Sequence, residues 1–142
     1  MWTTRFNATT PAEPGAVWDA LRTLHSGTPL GPNSDTFELH GPFAIGTRVT
    51  VTPQGQDSME SVITELEPNA VYADRTAFGG LTLTFRHELQ LEPDGGTRVT
   101  HTLEIDGDGA DQLGPELGPQ ISGDFPETMT ELLTAAEKGV RG

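Results

Sequence analysis

Two histidines stand where a β-hairpin should bury apolar side chains. In LTLTFRHELQL, residues 81–91, and TRVTHTLEI, residues 97–105, apolar and polar residues alternate, and His87 and His101 fall in the apolar phase. The PDG segment at 93–95 favours a three-residue turn with Gly95 in the left-handed conformation. That turn pairs His87 with His101, with Cβ atoms about 4.5–5.5 Å apart. The pattern therefore predicts two imidazole rings in contact on the buried face.

Such a pair is suited to acid–base chemistry. Burial and mutual repulsion should lower both pKa values, so at least one ring is neutral near pH 7. A neutral imidazole accepts a proton or polarises a carbonyl, which suits enolisation, aldol-type cyclisation or dehydration, and makes His87 and His101 the catalytic candidates. Two alternatives remain open: each ring fills space beside a hydrogen-bond partner, or one or both lie half exposed at the sheet rim.

Metal binding by the same pair would need a third ligand. His40 and Asp74 are conceivable donors, but their spacing matches no recognisable metal motif. The sequence therefore predicts no metal site, and no dinucleotide or phosphate-binding fingerprint indicates another cofactor.

Polar and aromatic residues elsewhere are candidates for contact with a ligand. Tyr72 and Asp74 share one phase of a predicted strand; if that phase faces inward, both are polar groups in a cavity and Tyr72 donates to a ligand oxygen. Aspartates are usually solvated, which favours the exposed alternative for Asp74. Phe43, in the loop GPFAIG, is a cavity gate or a plug under the loop, and Trp18 is core packing or a lid.

The elements that must position these residues follow from periodicity. Residues 2–8 alternate as a strand, and a helix follows, with Thr10 as N-cap, Pro11 at the first helical position and an end at Gly27. Four short strands within 36–78 and the hairpin come next, each followed by turn residues that favour antiparallel connections.

The last third of the chain changes to helical spacing. Apolar residues recur every four positions from Leu113 to Ala136. Prolines interrupt this stripe, so we expect a short first helical piece, a kink near Gly123 and a firm helix from about Asp124 to Lys138. Gly118, Ser122 and Gly123 reduce the bulk of the helix, which leaves room for a ligand or allows close packing on the sheet.

These elements predict one α+β domain over residues 1–142. A curved antiparallel sheet of about seven strands wraps around the long C-terminal helix, with a helical segment between the first two strands. Because a large sheet and one thin helix need not close completely, a cavity between them is expected. The predicted ligand contacts are Phe43, Tyr72, Asp74, Phe85, Leu103, Leu117, Ile121, Phe125 and Met129.

Composition narrows the function classes. The formal net charge is −13, which disfavours nucleic acid and anionic membrane surfaces as partners. The chain contains no cysteine, so disulfides and thiolate chemistry are excluded. Neither a secretory signal nor an apolar run of membrane-spanning length is visible, so we expect a cytoplasmic protein without membrane insertion, as a monomer or homodimer.

The whole chain resembles the helix-grip superfamily of START domains, the birch-pollen allergen and small bacterial polyketide cyclase/dehydrase-like proteins. The resemblance rests on ATTPAEPGAVWDAL, FELHGPFAIGTRV, ITELEPN, GTRVTHTLEIDG and the closing helix. It implies the fold and a small, largely apolar ligand of polyketide or lipid type, but no catalytic motif is carried over by position.

Three hypotheses for function follow from the resemblance and the histidine pair. The first is a cyclase or dehydratase-like enzyme that uses His87 and His101. The second is a non-catalytic carrier, sequestering or resistance protein with the same cavity. The third is a partner-binding module of the chaperone-cofactor type.

Overall fold

The structure, a computed structural model, describes residues 1–32, 34–53, 55 and 57–138. Its elements, in chain order, are β1 (Trp2–Thr10), α1 (Pro14–His25), β2 (Thr36–Leu39), β3 (Arg48–Thr52), β4 (Met59–Glu67), β5 (Val71–Phe78), β6 (Leu81–Leu91), β7 (Thr97–Gly107), α2 (Ala110–Ser122) and α3 (Phe125–Lys138).

The strands form one antiparallel sheet in the order β1-β7-β6-β5-β4-β3-β2. Since β1 and β2 are the two edges, α1 connects opposite sides of the sheet. A register shift between Ile63 and Glu65 marks an irregularity in β4, of the kind that bends a strand. The sheet is curved and the last helix is C-terminal, which confirms the predicted α+β helix-grip fold.

The hairpin of β6 and β7 has the predicted register. His87 pairs with His101, Leu89 with Val99 and Leu91 with Thr97. Gly95 has a φ of 90°, the left-handed conformation that the turn requires. The two histidines are therefore direct cross-strand neighbours.

The start of α1 differs from the prediction. The helix begins at Pro14 with Glu13 as its N-cap, whereas Thr10 was expected to cap it. Thr10 is instead the last residue of β1, paired with Thr97. Its hydroxyl accepts a hydrogen bond from the Ala12 backbone N–H at 3.2 Å and donates one to Glu137 at 2.7 Å. Strand pairing and these bonds outweigh the local capping signal.

The C-terminal segment breaks at Gly123 as predicted, but its first piece is longer than expected. α2 spans 13 residues and continues through Pro115 and Pro119. Each proline follows a glycine, and a residue without Cβ removes part of the clash that keeps the preceding position out of the helical region. Pro126 is the second residue of α3, where a missing N–H costs little.

Three helices cover the sheet in two neighbouring regions. α1 and α3 pack together over a cluster that includes Val17, Leu21 and Leu132, whereas α2 lies over β1 and β7. Gly114 and Gly118 of α2 sit against the indole of Trp2, where a Cβ would overlap the ring. For Gly118, close packing is therefore the alternative that the structure supports. Among the described helices, none combines the length and apolarity required to span a bilayer.

Candidate functional site

A cavity of about 580 Å³ lies between the sheet and the helices. It is bounded by the end of α1, the inner face of β2 to β7, and the region where α2 meets α3. Seven of the predicted ligand contacts and both predicted catalytic residues line it: Tyr72, Asp74, Phe85, His87, His101, Leu117, Ile121, Phe125 and Met129.

The histidine pair forms part of a continuous ring stack. The rings of His87 and His101 are 3.9 Å apart between centroids, with an angle of 23° between their planes. His101 lies against Phe125 of α3 at 3.8 Å and 17°. His87 Nδ1 and His101 Nε2 are buried without a hydrogen-bond partner in the described structure. Both rings are thus wall residues of the cavity, and each leaves one buried nitrogen unpartnered.

His25, at the end of α1, is a third cavity histidine that the sequence analysis did not single out. Its ring centroid lies 4.0 Å from that of Tyr72 and 5.9 Å from that of His87. His25 Nδ1 lies 2.8 Å from the backbone carbonyl oxygen of Leu21. The available signal was its spacing, because His25 follows Leu21 and Val17 at intervals of four residues on the apolar stripe of α1.

Burial keeps the three histidines uncharged at neutral pH. It lowers the pKa of His25 to about 4 and that of His101 to about 3. The pKa of His87 is well below its ordinary value because of burial, reinforced by repulsion from His101 and His25. At pH 7 each ring therefore offers one N–H donor and one acceptor nitrogen.

Tyr72 and Asp74 form a buried dyad beside the histidines. The Tyr72 hydroxyl donates to Asp74 Oδ2 at 2.8 Å, and Asp74 is only 4% exposed. Burial raises the pKa of Asp74 to about 7, although the bond from Tyr72 acts in the opposite direction. Burial and the neighbouring Asp74 also raise the pKa of Tyr72. The expectation that favoured a solvated Asp74 is wrong, because this phase of β5 faces the cavity.

Two of the predicted ligand contacts do not line the cavity. Phe43 packs between Trp18, at 6.1 Å, and Tyr72, whose ring it stacks against at 5.7 Å. Phe43 therefore packs under its loop and does not gate the cavity. Trp18 is part of the hydrophobic core. Leu103 is fully buried in the cluster beneath α2 and does not line the cavity.

The exposed His40, a conceivable metal donor, hydrogen-bonds to Thr50 at 2.6 Å and does not line the cavity. Over the part of the chain that the structure describes, no group of three or more potential ligands is placed to hold a metal ion.

Several lining residues carried no sequence signal for a site. Phe78, at the end of β5, is 45% exposed while also lining the cavity, as expected of a residue at its mouth. Ser61 and Thr76 face each other across β4 and β5 and share a hydrogen bond. Their cavity position depends on which strand face turns inward.

The comparisons with known proteins agree with this geometry. A family model described as polyketide cyclase/dehydrase and lipid transport matches residues 1–137. No match to a curated protein sequence reaches significance.

Solved structures share the fold at low sequence identity. The Zhui aromatase/cyclase from Streptomyces sp. R1128 is 15% identical with a TM-score of 0.75, and the match covers 96% of this chain and 93% of that chain. Norcoclaurine synthase from Thalictrum flavum in complex with dopamine and hydroxybenzaldehyde is 10% identical with a TM-score of 0.73, covering 96% and 86%. Ara h 8.0201 is 20% identical with a TM-score of 0.72, covering 96% and 98%.

Proposed function

Because this chain belongs to the polyketide cyclase/dehydrase and lipid transport family, we propose that its cavity binds a small, largely apolar organic molecule and catalyses its cyclisation or dehydration. The observation that carries the proposal is the row of neutral imidazoles, His25, His87 and His101, in a cavity whose other walls are mainly aromatic and aliphatic. Such a site binds by burying apolar surface, while a few polar groups orient the ligand.

The cavity is large enough for a small organic molecule. Ligand pockets commonly enclose about 300–1,000 Å³, and this cavity has about 580 Å³. Phenylalanines lie against two of the cavity histidines, with Phe37 4.6 Å from His25 and Phe125 of α3 3.8 Å from His101 between ring centroids. A flat, apolar molecule would complete the stacking that these rings begin.

The proposed chemistry assigns the base to the histidine pair. A neutral His87 or His101 takes a proton from the carbon next to a ligand carbonyl, and the resulting enolate attacks a second carbonyl of the same molecule. The protonated ring then returns its proton to the new alkoxide. Asp74, which is partly protonated near pH 7, donates a hydrogen bond to the carbonyl that becomes an enolate, and Tyr72 holds it in place.

Native mass spectrometry of protein isolated from its own source tests the binding part. We expect a retained small molecule, released by denaturation and absent from protein unfolded and refolded in its absence. A chain that binds no apolar compound in native mass spectrometry or calorimetry would contradict ligand binding.

Variants of the histidine pair test catalysis once the retained molecule is known. His87→Phe and His101→Phe keep a flat ring but remove the base, so we expect turnover to fall at least about 100-fold while affinity changes little. His40→Phe is the matched control, since His40 is exposed and outside the cavity. Unchanged turnover in both cavity variants would rule out the acid–base assignment.

A non-catalytic carrier or sequestering protein is the second candidate. It is favoured by the burial of His87 Nδ1 and His101 Nε2, which keeps these two nitrogens out of reach of a bound molecule. In that case the molecule recovered by mass spectrometry would be unchanged after prolonged incubation with the wild-type protein. The cavity itself favours both candidates over a partner-binding module.

A further inference from the structure

His25 is the cavity histidine whose tautomer follows from its hydrogen bond. Nδ1 lies 2.8 Å from the Leu21 carbonyl oxygen, and a carbonyl can only accept. Nδ1 must therefore carry the proton. In a neutral ring the other nitrogen, Nε2, is then an acceptor with a lone pair in the ring plane.

Most hydroxyl protons in the cavity are committed to other partners. Tyr72 donates to Asp74 at 2.8 Å, Ser34 donates to Glu131 at 3.2 Å, and one hydroxyl of the Ser61–Thr76 pair donates to the other. Thr128 bonds to the Asp124 carbonyl at 3.1 Å. Within the described structure, Nε2 of His25 has no hydrogen bond to another residue. Because His25 lines the cavity, a ligand there can supply the donor that this acceptor lacks.

From this geometry, and on the basis of the proposed ligand binding, we infer that His25 is a specificity-determining residue. It accepts a hydrogen bond through Nε2 from a hydroxyl or amine of an aromatic ligand and thereby selects against ligands that carry only acceptors. The Leu21 carbonyl is the group that positions it.

The surroundings of His25 favour a donor carried on a flat ring. The His25 ring lies 4.0 Å from Tyr72 and 4.6 Å from Phe37 between centroids. It is 3% exposed, so a donor can reach it only from within the cavity. Burial keeps the ring neutral, with a pKa of about 4, so Nε2 stays an acceptor at physiological pH.

Two probes that differ in one hydrogen-bond donor test the inference. 2-Naphthol can donate through its hydroxyl, whereas 2-methoxynaphthalene has the same rings and can only accept. By isothermal titration calorimetry at pH 7 we expect the wild-type protein to bind 2-naphthol about fivefold more tightly, the scale of one net hydrogen bond. His25→Phe should bring the ratio of the two affinities close to one, and His40→Phe should leave it unchanged.

The outcomes separate this inference from the proposed function. Equal affinity of the wild-type protein for both probes, or a ratio that survives in His25→Phe, would overturn the role of His25 while leaving cavity binding intact. Failure of both probes to bind would contradict cavity binding, and the inference with it.

A measurement on the wild-type protein avoids reliance on the variant. Long-range proton–nitrogen NMR spectra at pH 7 should show His25 protonated at Nδ1 and unprotonated at Nε2, with the Nε2 resonance shifting when 2-naphthol is added. The opposite tautomer, or an Nε2 resonance that 2-naphthol does not move while it binds, would overturn the inference.

Discussion

Among single residues, Asp74 and the histidines show how burial sets the charge state of ordinary side chains at neutral pH. The same low-polarity cavity raises the pKa of a carboxyl and lowers that of an imidazole, because it disfavours whichever form is charged. The result is a carboxyl of pKa about 7 close to rings that remain neutral. Near pH 7 the carboxyl can therefore donate a hydrogen bond, and each neutral ring offers one acceptor nitrogen.

Replacement of Asp74 should change how stability depends on pH. Its pKa is about 7 in the folded protein and 3.8 as the reference value, so between these values the folded state holds a proton that the unfolded state lacks. Stability from this group therefore decreases as pH rises from about 4 to about 7 and is constant above that. As pH rises across this window, the free energy of unfolding of Asp74→Asn should increase relative to wild type by roughly 1 kcal/mol per pH unit.

Urea denaturation at pH 5, 6, 7 and 8 measures this difference. Asp57→Asn serves as the control, because Asp57 is exposed. A difference between Asp74→Asn and wild type that does not vary with pH would show that Asp74 titrates normally.

Among the elements, α2 illustrates how glycine residues allow a helix to pack closely against a sheet. Gly114 and Gly118 lie one turn apart and both face the indole of Trp2 on β1. Glycine normally weakens a helix, so its presence twice on one face indicates that contact with β1 outweighs helix propensity. The same contact sets the distance from the sheet of Leu117 and Ile121, the α2 residues that form part of the cavity wall.

Gly118→Ala should destabilise the protein even though alanine is the better helix former. The added Cβ would overlap the Trp2 ring, and overpacking of this kind typically costs about 1–3 kcal/mol. In a Trp2→Ala background the same substitution should be neutral or stabilising, because the obstructing ring is absent. Thermal and urea unfolding of the four proteins of this cycle measure the coupling, and additive effects would contradict the packing role.

Across the whole molecule, three histidines from α1, β6 and β7 converge on one cavity in an otherwise acidic protein. Holding them neutral links the fold to pH, since the unfolded chain takes up protons below about pH 6.5 whereas the folded state does not. Because of these three histidines, the free energy of unfolding decreases as pH falls. The proton that Asp74 binds in the folded state acts in the opposite direction.

The protein should therefore lose stability steeply between pH 6.5 and about pH 4, and His101→Phe should lose it less steeply. Each buried histidine contributes roughly 1.4 kcal/mol per pH unit over the range in which its folded form stays neutral. Urea midpoints at pH 6.5, 5.5 and 4.5 compare the variant with wild type, and His40→Phe again serves as the control. Parallel slopes in His101→Phe and wild type would show that His101 is protonated in the folded state.

Much of the fold could be predicted from local information. Alternation of apolar residues and turn chemistry act over a few positions, so the strands, the break at Gly123 and the pairing of His87 with His101 were all predicted correctly. The cap at Thr10 was wrong because strand pairing with Thr97, distant in the chain, took that residue into β1.

The sequence by itself determined the helix-grip architecture and the presence of two histidines on the buried face. Only the tertiary structure decided the composition of the cavity wall, because that depends on which layers meet. It brought His25 from α1 against Tyr72, turned Asp74 inward, and placed Phe43 and Leu103 outside the cavity wall. Periodicity assigns a residue to a face, but the packing of one element on another decides what that face contacts.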